Sequence, residues 1–423
     1  MTRERVVIIG GGFGGLNAAK KFKNTNFEVI LVDRTNHHLF QPLLYQVATA
    51  ALSPNNIARS IRDIVKDIEN IRVILDEVAT IDKINNTITL KKQGELSFDY
   101  LIVAVGAKHS YFGKDHWEKF APGLKTLNDA LTIREKILWS FENAENAKSD
   151  SEREKFLNFV VVGGGPTGVE MAGAIAETAK QTIVNDFRNF SPSNSKIYLI
   201  EGMDRLLTPF DPSLSKYTKN SLEEMGVTVI LKSLVTDINE NGVKVGDLFI
   251  PTVNIIWAAG NTASPLLKTL DTELDKMGRA IVNPDLTIPN HKNIFVIGDA
   301  SNAKDKKGNP LPGLAPVAIQ SGEYVANIIK NDKAVSKRVP FSYFDKGIMA
   351  TIGKAKAITQ VKDLKFTGFF AWLMWIFVHV LFLVGFRNKI AAILEWIWFY
   401  ITDQRSARLI TDKEFIKEIQ FNI

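Results

Sequence analysis

Val6-Val7-Ile8-Ile9-Gly10-Gly11-Gly12-Phe13-Gly14-Gly15 opens the chain, and Phe159-Val160-Val161-Val162-Gly163-Gly164-Gly165-Pro166-Thr167-Gly168 repeats its build. Each is an apolar run, a glycine turn and the start of a helical pattern. Both fit G-x-G-x-x-G, through Gly10, Gly12 and Gly15 in one and Gly163, Gly165 and Gly168 in the other. The glycines let the backbone turn tightly and approach a pyrophosphate, which the helix N-terminus then holds. One copy is a weak signal. Two copies in strand–turn–helix context predict two dinucleotides on one chain, with electrons passing between them.

The surroundings extend the duplication. The apolar stretch 27–32 ends in Asp33, 23 residues after Gly10, where such units place an acid on a ribose hydroxyl. A plain surface aspartate at a strand end is the other reading. Lys196–Ile200 ends in Glu201, 38 residues after Gly163. The extra length fits a helix running past Ala179 and a Ser/Asn-rich loop at 191–195. Stretches 98–106 and 254–260 are strands closing on Gly106 and on Ala259-Gly260. Another apolar strand runs into Gly298-Asp299, and Asp299 can accept from sugar or ribityl hydroxyls. Residues 140–155 are polar and read as a helix end and linker.

The totals bound the answer. At 423 residues the chain exceeds one ordinary core, so about two or three domains are expected. The chain has no cysteine, which excludes disulfide frameworks, cysteine-ligated clusters and a C-x-x-C redox pair. The first residues run straight into a strand, so no signal or transit peptide is expected. His37-His38 lacks companion carboxylates or cysteines, so no metal is expected.

Charge and hydropathy single out the tail. Residues 330–423 carry 15 Lys and Arg against 8 Asp and Glu, a net of +7 in a chain of +6. A basic surface suits an anionic partner, nucleic acid or a lipid leaflet. Residues 366–386 are 21 uncharged positions with His379 as the one ionisable group. As a helix they would reach about 30 Å, a bilayer core. A shorter run, 390–401, carries Trp396, Trp398 and Tyr400, and basic residues flank both. A buried core helix, a transmembrane helix and an interfacial hairpin all remain open. Nucleic acid is disfavoured because the basic residues frame lipid-like runs.

These motifs, with the loop Asn36-His37-His38-Leu39-Phe40-Gln41-Pro42-Leu43-Leu44-Tyr45-Gln46, the stretch Gly165-Pro166-Thr167-Gly168-Val169-Glu170 and the aromatic tail, resemble the type II NADH:quinone oxidoreductases. These are single-subunit flavoproteins that feed respiratory chains, and the match covers nearly the whole chain. The resemblance implies an α/β fold of two Rossmann-like dinucleotide-binding domains plus a C-terminal amphipathic or apolar helical membrane-anchoring region. Residues 1–150 and 281–340 would form the FAD-binding domain, 151–280 an inserted NADH-binding domain, and 341–423 the membrane-association region.

FAD would lie on Gly10, Gly12, Phe13, Gly14, Gly15, Asp33, Gly106, Asp299, Ala315 and Pro316. NADH would lie on Gly163, Gly165, Thr167, Gly168, Glu170, Glu201, Ala259 and Gly260. Glu170 is implied to be catalytic, near the nicotinamide and flavin; a capping carboxylate at the helix start is the alternative. Gln320 is the implied catalytic quinone contact, with Gln46 opposite it. One departure matters: the flavin-edge motif, usually Ala-Gln-x-x-x-Gln, reads Ala315-Pro316-Val317-Ala318-Ile319-Gln320. Pro316 removes an amide side chain and a backbone N–H.

The expected reaction is hydride transfer from NADH to FAD and two-electron reduction of ubiquinone or menaquinone. The resemblance implies a monotopic place on the cytoplasmic face of a bacterial inner membrane and leaves a homodimer open. Proton pumping is not expected, since the apolar tail offers only His379 and Glu395. Glu201 would repel a 2′-phosphate, so NADH is expected over NADPH. The rival readings are a soluble NADH:ferredoxin or rubredoxin reductase and a non-catalytic nucleotide-binding membrane protein.

Overall fold

Runs of valine and isoleucine without alternation read as strands covered on both faces, and they form parallel sheets. The computed structural model describes residues 3–331 and 334–410. In chain order the first elements are β1 (Arg5–Ile9), α1 (Phe13–Lys21), β2 (Glu28–Asp33), α2 (Leu44–Ala48), β3 (Ile71–Leu75), β4 (Tyr100–Val103), α3 (Leu127–Asn146) and α4 (Asp150–Leu157). Then come β5 (Asn158–Val162), α5 (Pro166–Glu177), β6 (Lys196–Ile200), β7 (Val227–Ile230), β8 (Asn254–Trp257), β9 (Ile294–Val296) and α6 (Ala315–Lys330). The last are β10 (Ile348–Gly353), β11 (Lys356–Val361), β12 (Leu364–Thr367), α7 (Gly368–Phe382) and α8 (Phe386–Thr402).

The chain divides into two units. One comprises Met1–Leu39, Ala58–Lys108 and Asn261–Lys346; the other comprises Phe40–Ile57, His109–Gly260 and Gly347–Ile423. The first holds a parallel sheet in the order β9-β4-β1-β2-β3. Val6, Val7 and Ile8 are fully buried in it. Ile9 pairs with Val32 and with Val103, so the turns after β1, β2 and β4 share one edge of the sheet. There α1 and α6 meet glycine to glycine: a Cβ on Gly322 would stand 2.3 Å from the Gly14 carbonyl oxygen.

The second unit repeats the plan with the parallel order β7-β6-β5-β8. Val162 pairs with Ile200 and Trp257, again gathering the strand ends. Helix α5 lies so close to β10 that a Cβ on Gly173 would stand 1.8 Å from the Ile352 oxygen.

Two expectations are corrected. Residues 140–155 hold the expected helix end, since α3 runs to Asn146, but the linker shrinks to 147–149: α4 is capped by Ser149, whose side chain accepts from the Glu152 amide. That polarity marks capping and a solvated face. Nor is 366–386 one helix. Phe366 and Thr367 belong to β12, α7 covers 15 residues, and Gly385, at φ 96°, turns the chain into α8. Fifteen residues reach only about 22 Å, short of a bilayer core of about 30 Å. Among the described residues no helix is long and apolar enough to cross a membrane, so the transmembrane reading is overturned. The core-helix reading also fails, because only Ala371, Trp375 and His379 of α7 are buried. The end of the expected 341–423 region, 411–423, lies outside the described residues.

Candidate functional site

Each unit builds the same cradle. Gly10 and Gly163 take φ of 103° and 110°, open only to glycine at low cost. A Cβ on Gly15 would stand 1.8 Å from the Gly10 oxygen, and one on Gly168 would stand 1.8 Å from the Gly163 oxygen. These glycines seat the helix on its strand. Gly12 and Gly165 have nothing within 4 Å of an added Cβ, which leaves the open approach a phosphate needs. Helices α1 and α5 start on those two residues, with no side-chain cap competing for their first amides.

The acids finish both cradles alike. Asp33 Oδ2 accepts from the Gly11 amide at 2.5 Å, and Glu201 Oε2 accepts from the Gly164 amide at 2.5 Å. The second oxygen of each accepts from an amide two residues on, Thr35 and Met203, both at 2.7 Å. The 38-residue spacing is therefore no obstacle: a π-turn at Thr178–Thr182 and the loop behind it absorb it, while strand register aligns the acid. The residues present fit dinucleotides at both places.

Other expected residues fall as follows. Gly106, at φ 64°, also has open space at its Cβ position. Asp299 lies beside Gly313, where a Cβ would stand 3.3 Å from its Oδ1. Ala315 and Pro316 begin α6, where a missing N–H costs nothing. Thr167 is in the first turn of α5, and Ala259-Gly260 follow β8, with Gly260 at φ 73°. Gly14 is a packing glycine, because its Cβ would crowd Ile297 and the Ala318 oxygen. Gln320, in the first unit, clamps Phe344: its Nε2 donates to the Phe344 oxygen at 3.0 Å, and its Oε1 accepts from the Phe344 amide at 2.9 Å.

Gln46 and Glu170 belong to the second unit and line one pocket there, walled by Trp372, Trp375, Ile376 and Trp396. Gln46 Nε2 donates to the Tyr45 hydroxyl at 2.8 Å, and the Trp396 indole donates to Gln46 Oε1 at 2.7 Å, tying α2 to α8. Glu170 is in the second turn of α5, so it is no capping residue. Desolvation pushes its carboxyl up to about 8, against a backbone hydrogen bond from Thr351 that favours the ionised form. Burial, then the neighbouring Glu170, raises the Tyr45 hydroxyl. The Trp375 indole N–H is buried with no partner among the described groups.

Sequence reasoning missed the pocket's floor. Arg405 donates to Glu177 Oε2 at 3.0 Å and to the Thr49 oxygen at 2.7 Å. Both side chains are buried, at 2% and 6% exposure. Lys354 adds its amide to Glu177 and its ammonium to Asp403 at 2.6 Å. Glu177 was findable, since it stands seven residues, two helical turns, after Glu170. Arg405 gave no signal beyond being one more basic residue in the tail.

The pattern of the pyridine nucleotide-disulphide oxidoreductase family matches residues 4–322. Two relatives in Mycobacterium tuberculosis are similar over most of their length. The type II NADH:quinone oxidoreductase NdhA is 45% identical, covering 93% of this chain and 86% of that protein. The type II NADH:quinone oxidoreductase Ndh is 42% identical, covering 97% and 91%. The structure of NDH2 from Plasmodium falciparum in complex with NADH matches with a TM-score of 0.89 at 22% identity, over 97% of this chain and all of that one. That last likeness concerns the fold alone. On the two bacterial relatives and the matched pattern, the chain belongs to the type II NADH:quinone oxidoreductases, within the pyridine nucleotide-disulphide oxidoreductase family.

Proposed function

We propose that this protein oxidises NADH with FAD and passes two electrons to a quinone without pumping protons. The observation that carries the reading is the pair of matching cradles, one per unit, in a chain of this family. FAD, on the loop after β1 with Asp33, Gly106, Asp299 and the start of α6, supplies hydride acceptance and electron relay when bound. The loop after β5 and Glu201 hold NADH, with the carboxylate disfavouring a 2′-phosphate. The pocket beside Glu170, with its aromatic walls, suits a flat quinone head. Gln320 spends one amide N–H and one oxygen lone pair on Phe344, which leaves its second N–H for a quinone contact.

Anaerobic mixing with NADH and then with a quinone tests this. NADH should bleach the flavin absorbance and the quinone restore it; a flavin that never bleaches removes the reading. The same assay carries a pH prediction. A carboxyl held up to about 8 keeps its proton at neutrality, so Glu170 can donate one toward a reduced quinone. That capacity is full at low pH and is lost as pH rises through about 8. Flavin reoxidation should slow across that limb in wild type and lack it in Glu170→Gln. Superimposable pH profiles would remove Glu170 from proton delivery.

We also propose that α7 and α8 rest on a lipid leaflet. Phe370, Phe377, Phe386 and Ile401 are 68–78% exposed, an apolar outer face that water does not favour. Replacing Phe370, Phe377 and Ile401 with glutamate should abolish co-sedimentation with liposomes while NADH still bleaches the flavin. Sedimentation equal to wild type would exclude lipid docking by this face. On this reading the enzyme is monotopic.

A further inference from the structure

The two glycine loops hold one backbone carbonyl by different means. In both, the amide of the glycine after the turn is held by the strand-end acid. The carbonyl of that same glycine is held differently. Gly164 offers its oxygen to the Leu207 backbone amide at 2.8 Å. Gly11 offers its oxygen to a side chain, His38 Nδ1, at 3.0 Å.

His38 is built to do this. It is 2% exposed, it sits edge-on to the Phe13 ring at 5.2 Å, and it stands in a short antiparallel strand pair facing Arg59. Burial, aided by Lys20 and His37, lowers its affinity for a proton against the pull of the Gly11 carbonyl and Asp33. A carbonyl only accepts, so the ring must carry its proton on Nδ1. The neutral imidazole is thereby fixed in one tautomer.

We infer that His38 is a positioning residue for the flavin cofactor, acting through Gly11: Asp33 and His38 hold the two sides of one residue and fix the peptides that lead into α1. With both groups of Gly11 engaged, the loop cannot flip a peptide and turn a carbonyl toward a phosphate. In the NADH loop the matching carbonyl is held by a main-chain amide, that of Leu207, so side-chain mutation can remove the carbonyl latch only from the first loop. The inference rests on the reading of that loop as the FAD cradle.

The isomeric amides test it. Asparagine places its NH2 where Nδ1 stands, whereas glutamine places it near Nε2, so polarity is equal and reach differs. Affinity of the apoproteins for FAD, read by quenching of flavin fluorescence, should fall about tenfold in His38→Gln, the worth of one hydrogen bond, and stay within about threefold in His38→Asn. NADH affinity should be unchanged in both. Equal FAD affinity in the two variants overturns the latch. A loss falling on NADH with FAD tightly held overturns the assignment of the cradles, and the inference with it.

Discussion

Gly12→Val should purify colourless, and Gly165→Val should purify yellow yet resist bleaching by NADH. Both positions have ordinary negative φ, −70° and −73°, and open space at the Cβ position, so a side chain costs the fold little. What it blocks is the approach of a pyrophosphate to the helix start. Losing two charge-assisted hydrogen bonds, at about 1.5–3 kcal/mol each, weakens the nucleotide at least about a hundredfold. Gly15→Ala is the contrasting control, since its methyl meets the Gly10 carbonyl and damages folding itself. Absorbance ratios after gel filtration, with circular dichroism to confirm folding, separate the cases. A yellow, NADH-reducible Gly12→Val protein would mean that the first loop holds no cofactor.

Arg405→Met should destabilise the protein by about 3–5 kcal/mol, because it leaves Glu177 buried without its partner. Burial already raises the Glu177 carboxyl, and Arg405 and the Lys354 amide are what oppose that rise. The loss also frees the Thr49 carbonyl and unties the segment after α8. The double variant Glu177→Leu with Arg405→Met should recover much of the loss, as apolar side chains replace a desolvated pair. Urea unfolding of the two single variants and the double variant measures the coupling. A single variant within about 1 kcal/mol of wild type would show the pair to be incidental.

Legibility followed sequence distance. The glycine loops and their strands are local patterns, and Asp33 and Glu201 each reach the glycine loop of their own unit, Glu201 despite its longer interval. Gln46 was named without its partner, because Trp396 is 350 residues away and no local period links them. The Arg405–Glu177 pair, 228 residues apart, was invisible for the same reason. Of the three readings of the tail, the single spanning helix failed because hydropathy counts residues and ignores backbone: nothing in an uncharged run announces that Gly385 takes a positive φ. The polar stretch before β5 misled in the opposite sense, since a well-capped, solvated helix has the composition of a linker.

Paired strands, not counted residues, bring acid to glycine in both cradles. The interval between them is thus released from selection on length. One cradle uses 23 positions and the other 38, with the surplus beyond Thr178. An insertion or deletion in that surplus would leave the strand pairing, and with it the hold of Glu201 on the Gly164 amide, in place.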